Sequence, residues 1–129
     1  MPQLLKYKGI EEWTGGRVEK KAGRATNQGL VDTYIHGGGR IGAMVELNCE
    51  SDFVARTDDF QQLMSDVIAE IEEAGAKANI SWLQDPAGPV HLRVAAAIAK
   101  LGENMAVPRF VRYADGGYVG QYIHMGGKI

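Results

Sequence analysis

Three histidines and one cysteine are the residues whose types best suit nucleophilic or metal chemistry. Cys49 and His36 would make a thiol and its base if adjacent strands brought them together. His36, His91 and His124 with Cys49 could also be drawn as a metal set. Zinc sites usually draw ligands from close pairs, however, and these four residues contain no pair at that spacing. A lone thiol is more commonly a small buried hydrophobe. The run Gly37-Gly38-Gly39 lacks the Gly-Lys-Ser/Thr ending of a phosphate loop and joins two strand-like runs instead of opening a helix. Asp58, Asp59, Asp66, Glu70, Glu72 and Glu73 read as a solvated acidic helix face, with no sign of an acid and a base held apart by different surroundings. None of these patterns points to covalent chemistry, a metal or a cofactor.

The totals fit that reading. A chain of 129 residues with 45% hydrophobic content suits one modest core. A formal charge of −2 offers no broad cationic surface for nucleic acid or anionic lipid. The single cysteine gives no internal disulfide, and no apolar run approaches the roughly 20 residues that span a bilayer. A cytoplasmic protein with neither membrane nor direct nucleic-acid partners is expected.

The elements that must carry any site can be read from periodicity. β-branched and aromatic runs, Leu30 to His36 and Arg40 to Asn48, flank the three glycines and predict a hairpin. Phe60, Leu63, Met64, Val67, Ile68 and Ile71 recur at three- and four-residue intervals, which gathers them on one helical face. Thr57 or Asp58 can cap that helix and Gly75 can end it. After a turn-rich stretch, Pro89 suits a first helical position. Val90, Val94, Ile98 and Leu101 then form a second stripe, closed by Gly102 in a left-handed cap. Met105 to Tyr113 reads as a third strand, at an edge or irregular because Pro108 lacks a donor. The fold class is α+β: a small antiparallel sheet of three to four strands packed on one side by two main helices.

Three segments are expected: residues 1–28 as an extension and linker, 29–116 as the core, and 117–129 as the start of a repeat. In the extension, Leu4, Leu5, Ile10 and Trp13 could make one short docked helix. The repeat is visible in Gly29-Leu30-Val31-Asp32-Thr33-Tyr34-Ile35-His36, which returns 88 residues later as Gly117-Tyr118-Val119-Gly120-Gln121-Tyr122-Ile123-His124. The second copy has barely begun when the sequence stops, as in a larger protein cut short or a reduced relative. Residues 117–129 could add a strand, and a small sheet with open edges favours a dimer.

The run Asn48-Cys49-Glu50-Ser51-Asp52-Phe53-Val54-Ala55-Arg56 resembles the signature segment of the elongation factor Ts family. In family order stand Lys20-Lys21-Ala22-Gly23-Arg24, Tyr34 to Gly42, Lys100-Leu101-Gly102-Glu103-Asn104 and Arg109-Phe110-Val111-Arg112-Tyr113. The resemblance covers about residues 20–129. It implies a core subdomain that binds elongation factor Tu, a GTPase, and promotes GDP release without covalent chemistry. It also implies that the ring of Phe53 enters a crevice between two GTPase helices near the switch region and magnesium site. Asp52 would offer its carboxylate beside that ring. Leu101 and Gly102 would make a second contact at a helix tip, and His124 a third from the repeat. The family's amino-terminal three-helix domain has no recognisable counterpart here, unless Ile10-Glu11-Glu12-Trp13 is its remnant, and most of the second core repeat is missing. The alternative is therefore a truncated Tu-binding or assembly module without efficient exchange.

Overall fold

Alternation of side chains along the middle of the sequence sets the architecture. In the computed structural model, which describes residues 21–114 and 116–129, β1 (Gln28–His36) and β2 (Ile41–Cys49) pair antiparallel around the glycine turn. Gly37, Gly38 and Gly39 all adopt positive φ there, which residues with a Cβ adopt only at a steric cost. β2 is central, and β3 (Met105–Tyr113) pairs antiparallel on its other side, giving the order β1-β2-β3. Pro108 sits on an edge strand. The register slips between Glu46 and Asn48, so that Val107 and Pro108 together stand opposite Leu47. That bulge absorbs the missing N–H without breaking a central ladder.

One face of β2 presents Ala43, Val45, Leu47 and Cys49, all buried. Against it lies α2 (Asp58–Ala74), whose six apolar stripe residues are buried. Thr57 caps α2 by accepting from the Phe60 N–H at 3.2 Å, and Gly75 closes it at φ 58°. Then α4 (Pro89–Leu101) packs beside α2, with Pro89 in the first turn and Gly102 as a left-handed C-cap at φ 80°. Between them the structure adds α3 (Ile80–Gln84), where a turn-rich connection was expected. Asn79 caps it, accepting from the Trp82 N–H at 2.9 Å, and Trp82 meets Phe110 edge-on at 6.4 Å. A further helix, α1 (Asp52–Ala55), fills the link from β2 to α2.

Residues 117–129 do not join the sheet as a full strand. They meet it through the Val119 N–H on Gly39 O at 2.7 Å, a single bridge between Leu30 and Lys128, and the Ile129 N–H on Gly29 O at 3.1 Å. Val119 packs over Gly42, on the sheet face away from the helices. Equivalent positions of the two sequence copies meet where the Thr33 hydroxyl contacts the Gln121 amide oxygen. Positive φ at Gly116, Met125, Gly126 and Gly127 keeps this segment from extending as a regular strand. The short helix expected around Leu4 to Trp13 lies outside the described residues.

Candidate partner-binding site

The residues considered for catalysis are not assembled. His36 pairs with Ile41 beside the glycine turn, whereas Cys49 pairs with Gln28 at the opposite end of the same ladder. Eight steps of about 3.3 Å separate the two ends, so thiol and imidazole cannot cooperate. Cys49 is fully buried, with its Sγ 3.1 Å from Ser51 O. Burial, and then the nearby Glu103 carboxylate, push its thiol up to about 11, opposite to the shift of an activated nucleophile. Among the described residues no group of three or more His, Cys, Asp or Glu could hold a metal ion.

The acidic face of α2 is also less uniform than its sequence implies. Glu70 and Asp66 are partly buried and pair with Arg93 at 2.9 and 3.5 Å. Glu72 instead turns under the sheet edge, 2.9 Å from His36 Nε2 and 4.0 Å from Arg112 Nε. This corrects the reading of Glu72 as a solvated residue: sequence gives helical phase, but not which strand side chains face that position.

A different constellation forms at the end of β2. Ser51 is the N-cap of α1, its Oγ accepting from the Val54 N–H at 3.2 Å. Val54 and Ala55 point into the core while Phe53, between Asp52 and Val54, is 79% exposed. Helical geometry separates neighbours by about 100°, so anchoring Val54 and Ala55 inside drives the Phe53 ring outward. Asp52 begins the helix and shares its carboxylate with two cations, Arg56 at 2.9 Å and Lys128 at 3.4 Å.

The tip of α4 is stitched to this turn. Glu103 accepts from the Ser51 N–H at 3.0 Å and from its hydroxyl at 2.6 Å. In the reverse direction Glu50 accepts from the Asn104 N–H at 2.6 Å, and the Asn104 amide donates to Arg24 O at 2.8 Å. Asp52 and Phe53 are thus joined to Leu101 and Gly102 through side chains on both loops. Leu101 is partly buried against the core, while Gly102 is exposed, with open space where a Cβ would stand. His124 is exposed and stacks on Tyr122, whose hydroxyl lies 3.2 Å from His124 Nδ1. The segment that carries it also carries Lys128, which reaches Asp52 of α1.

Glu50, Ser51, Glu103, Asn104 and Lys128 join the site only in the structure. The signal for Ser51 was local, a serine three residues before a helical N–H. For Glu103 no local signal exists, since its partner lies 52 residues away.

The arrangement is a protruding ring on a braced turn. The family model for elongation factor TS matches residues 50–129. The chain is similar to elongation factor Ts of Aquifex aeolicus, with 36% identity over 98% of this chain and 46% of the relative. For Clostridium botulinum strain Eklund 17B the figures are 40% identity, 98% and 42%. For Trichlorobacter lovleyi they are 44%, 87% and 38%. The chain therefore spans less than half the length of these relatives. With a family match over more than half of its residues, the chain belongs to the elongation factor Ts family.

Proposed function

We propose that this chain binds elongation factor Tu and promotes GDP release by inserting Phe53 beside the magnesium and phosphate site. The observation that carries the reading is the 79% exposure of Phe53 within the family's signature segment, next to two buried anchors. A large apolar ring left in water costs solvation free energy that insertion into an apolar crevice recovers, about 2–3 kcal/mol for a side chain of this class.

The chain's own residues set how that insertion acts. A partner that binds the loosened GTPase more tightly than the nucleotide-bound one must, by linkage, lower nucleotide affinity by the same factor. No proton transfer by this chain is needed. Asp52, balanced between the exposed cations Arg56 and Lys128, can exchange one of them for a donor on the partner. Leu101 and Gly102 offer a second contact at the α4 tip, and His124 a third. The setting is a cytoplasmic or organelle-type translation compartment. Among the described residues no helix is long and apolar enough to cross a membrane.

The test is stopped-flow release of fluorescent GDP from Tu with the wild-type chain and with Phe53→Ala. The wild type should accelerate release and Phe53→Ala should lose most of that acceleration. Equal rates with both, despite an intact fold, exclude the wedge. Capture of Tu without faster release points instead to a binding module without efficient exchange.

Self-association through the open sheet face belongs to the same proposal. That face carries Val31, half-exposed Met44 and Val111, with the Glu46–Arg109 pair beside a shallow hollow of about 350 Å³. Sedimentation at micromolar concentration should show a dimer, and monomer alone would remove this part.

A further inference from the structure

We infer that Glu103 is a positioning residue that aims the Phe53 ring, by holding the Ser51 cap in the one arrangement that keeps α1 folded. The inference rests on the exchange reading above for its functional consequence, but on geometry alone for its structural one.

Four residues are too few to sustain a helix by their own hydrogen bonds, because nucleation fixes several dihedrals for a single bond. The direction of α1 must come from its ends. At its start, the Ser51 hydroxyl has one proton and two lone pairs. Glu103 Oε2, at 2.6 Å, takes the proton, which leaves a lone pair directed to the Val54 N–H at 3.2 Å. The other carboxylate oxygen accepts from the Ser51 N–H at 3.0 Å, so both donors of the capping residue end on one side chain. A carboxylate is the acceptor best suited to two donors at once, and charge-assisted bonds of this kind are the stronger ones.

Glu103 follows Gly102 directly, so its backbone is fixed by the left-handed cap of α4. The reciprocal bond from the Asn104 N–H to Glu50 keeps the two loops in register, and Arg24, 3.5 Å from the same Glu50 oxygen, neutralises part of its charge. The Phe53 ring and the Leu101-Gly102 tip consequently move as one rigid surface. A partner that engages both contacts meets a preorganised pair and does not bear the cost of ordering them. The shorter Ala or Asp at position 103 would sever the link without touching either exposed contact.

The experiment uses Glu103→Ala, Glu103→Gln and Ser51→Ala in the whole chain, with two readouts. Amide residual dipolar couplings of residues 52–55, measured against those of α2 and β2, report the direction of α1 with no partner present. Release of fluorescent GDP from Tu reports function. Glu103→Ala and Ser51→Ala should reorient α1 while α2 and β2 stay unchanged. Glu103→Ala should also lose about tenfold in stimulated GDP release, and the double variant should be no worse than Phe53→Ala alone, as expected of residues acting through one group. Glu103→Gln keeps one acceptor oxygen but sets an NH2 donor against the other Ser51 donor, so it should reorient α1 in the same direction, with a loss of about threefold in stimulated GDP release. Unchanged couplings in Glu103→Ala overturn the inference, as do losses that multiply when combined with Phe53→Ala. Should Glu103→Ala fail to fold, Glu103→Gln and Ser51→Ala decide by the same couplings. If the wild-type chain does not speed GDP release, the exchange reading fails, and the couplings still settle whether Glu103 aims the ring.

Discussion

Phe53 and Val54 are consecutive residues of one helical turn, yet the first is 79% exposed and the second 8%. Their side chains diverge because Val54 is drawn into the cluster formed by Leu47, Cys49 and Phe60. The larger apolar side chain is therefore the one the fold does not use. Phe53→Ala should change stability by no more than about 0.5 kcal/mol, as for an exposed site free of special features. Val54→Ala should cost about 1–2 kcal/mol through lost burial and a small cavity. Urea denaturation of the two variants checks the contrast, and a large loss from Phe53→Ala would mean that the ring supports its own fold.

Cys49 makes stability depend on pH at the alkaline end. Its thiol is pushed up to about 11 from 9.0, by burial first and the Glu103 carboxylate second. Below pH 9 the thiol is protonated in both states and the native protein retains its full advantage. Above that pH the unfolded chain loses the proton while the native one keeps it, so stability falls as pH rises toward 11, by up to about 2 kcal/mol. Cys49→Ala should lack this decline, although it is less stable at neutral pH. Urea midpoints between pH 8 and pH 11 measure the difference. At neutral pH the native thiol should react with disulfide reagents only as fast as the protein opens.

Two glycines with positive φ should respond differently to alanine. At Gly29, φ 142°, a Cβ would collide with the backbone carbonyl of Leu47 across the β1–β2 ladder, which cannot yield without breaking the pairing. At Gly102, φ 80°, a Cβ meets open space and only the left-handed backbone is strained. Gly102→Ala should cost about 1–2 kcal/mol, and Gly29→Ala distinctly more. Thermal unfolding of both variants distinguishes the causes, since equal losses would leave the collision without energetic weight.

Much of the scaffold was legible because it follows period. The α2 stripe, the glycine hairpin, Pro89 in the first turn of α4 and Gly102 in its cap each depend on a few neighbouring residues, and each is found where the sequence places it. Relations across the chain were not legible. α3 was hidden because five residues give too short a period to detect beside Asp85-Pro86 and Gly88. Glu72 reads as solvated because nothing near it in sequence announces His36 and Arg112. The repeat at 117–129 suggested a strand from its likeness to β1, but a strand also needs an edge in register and a chain that stays extended. Met125, Gly126 and Gly127 turn the chain where that extension would have continued. For the candidate site, sequence supplied the protruding residues and the fold supplied their brace: Phe53 could be named from its segment, but the bond from Glu103 to Ser51 could not.

The central claim is that this chain prefers Tu without its nucleotide, and titrating it against the two forms tests that most directly. Binding measured by calorimetry to nucleotide-free Tu and to Tu·GDP with magnesium should differ at least about tenfold in favour of the empty form. The chain should lower GDP affinity by the same factor, and Phe53→Ala should shrink both factors together. Equal affinity for the two forms would contradict the account, because a partner indifferent to the nucleotide cannot expel it.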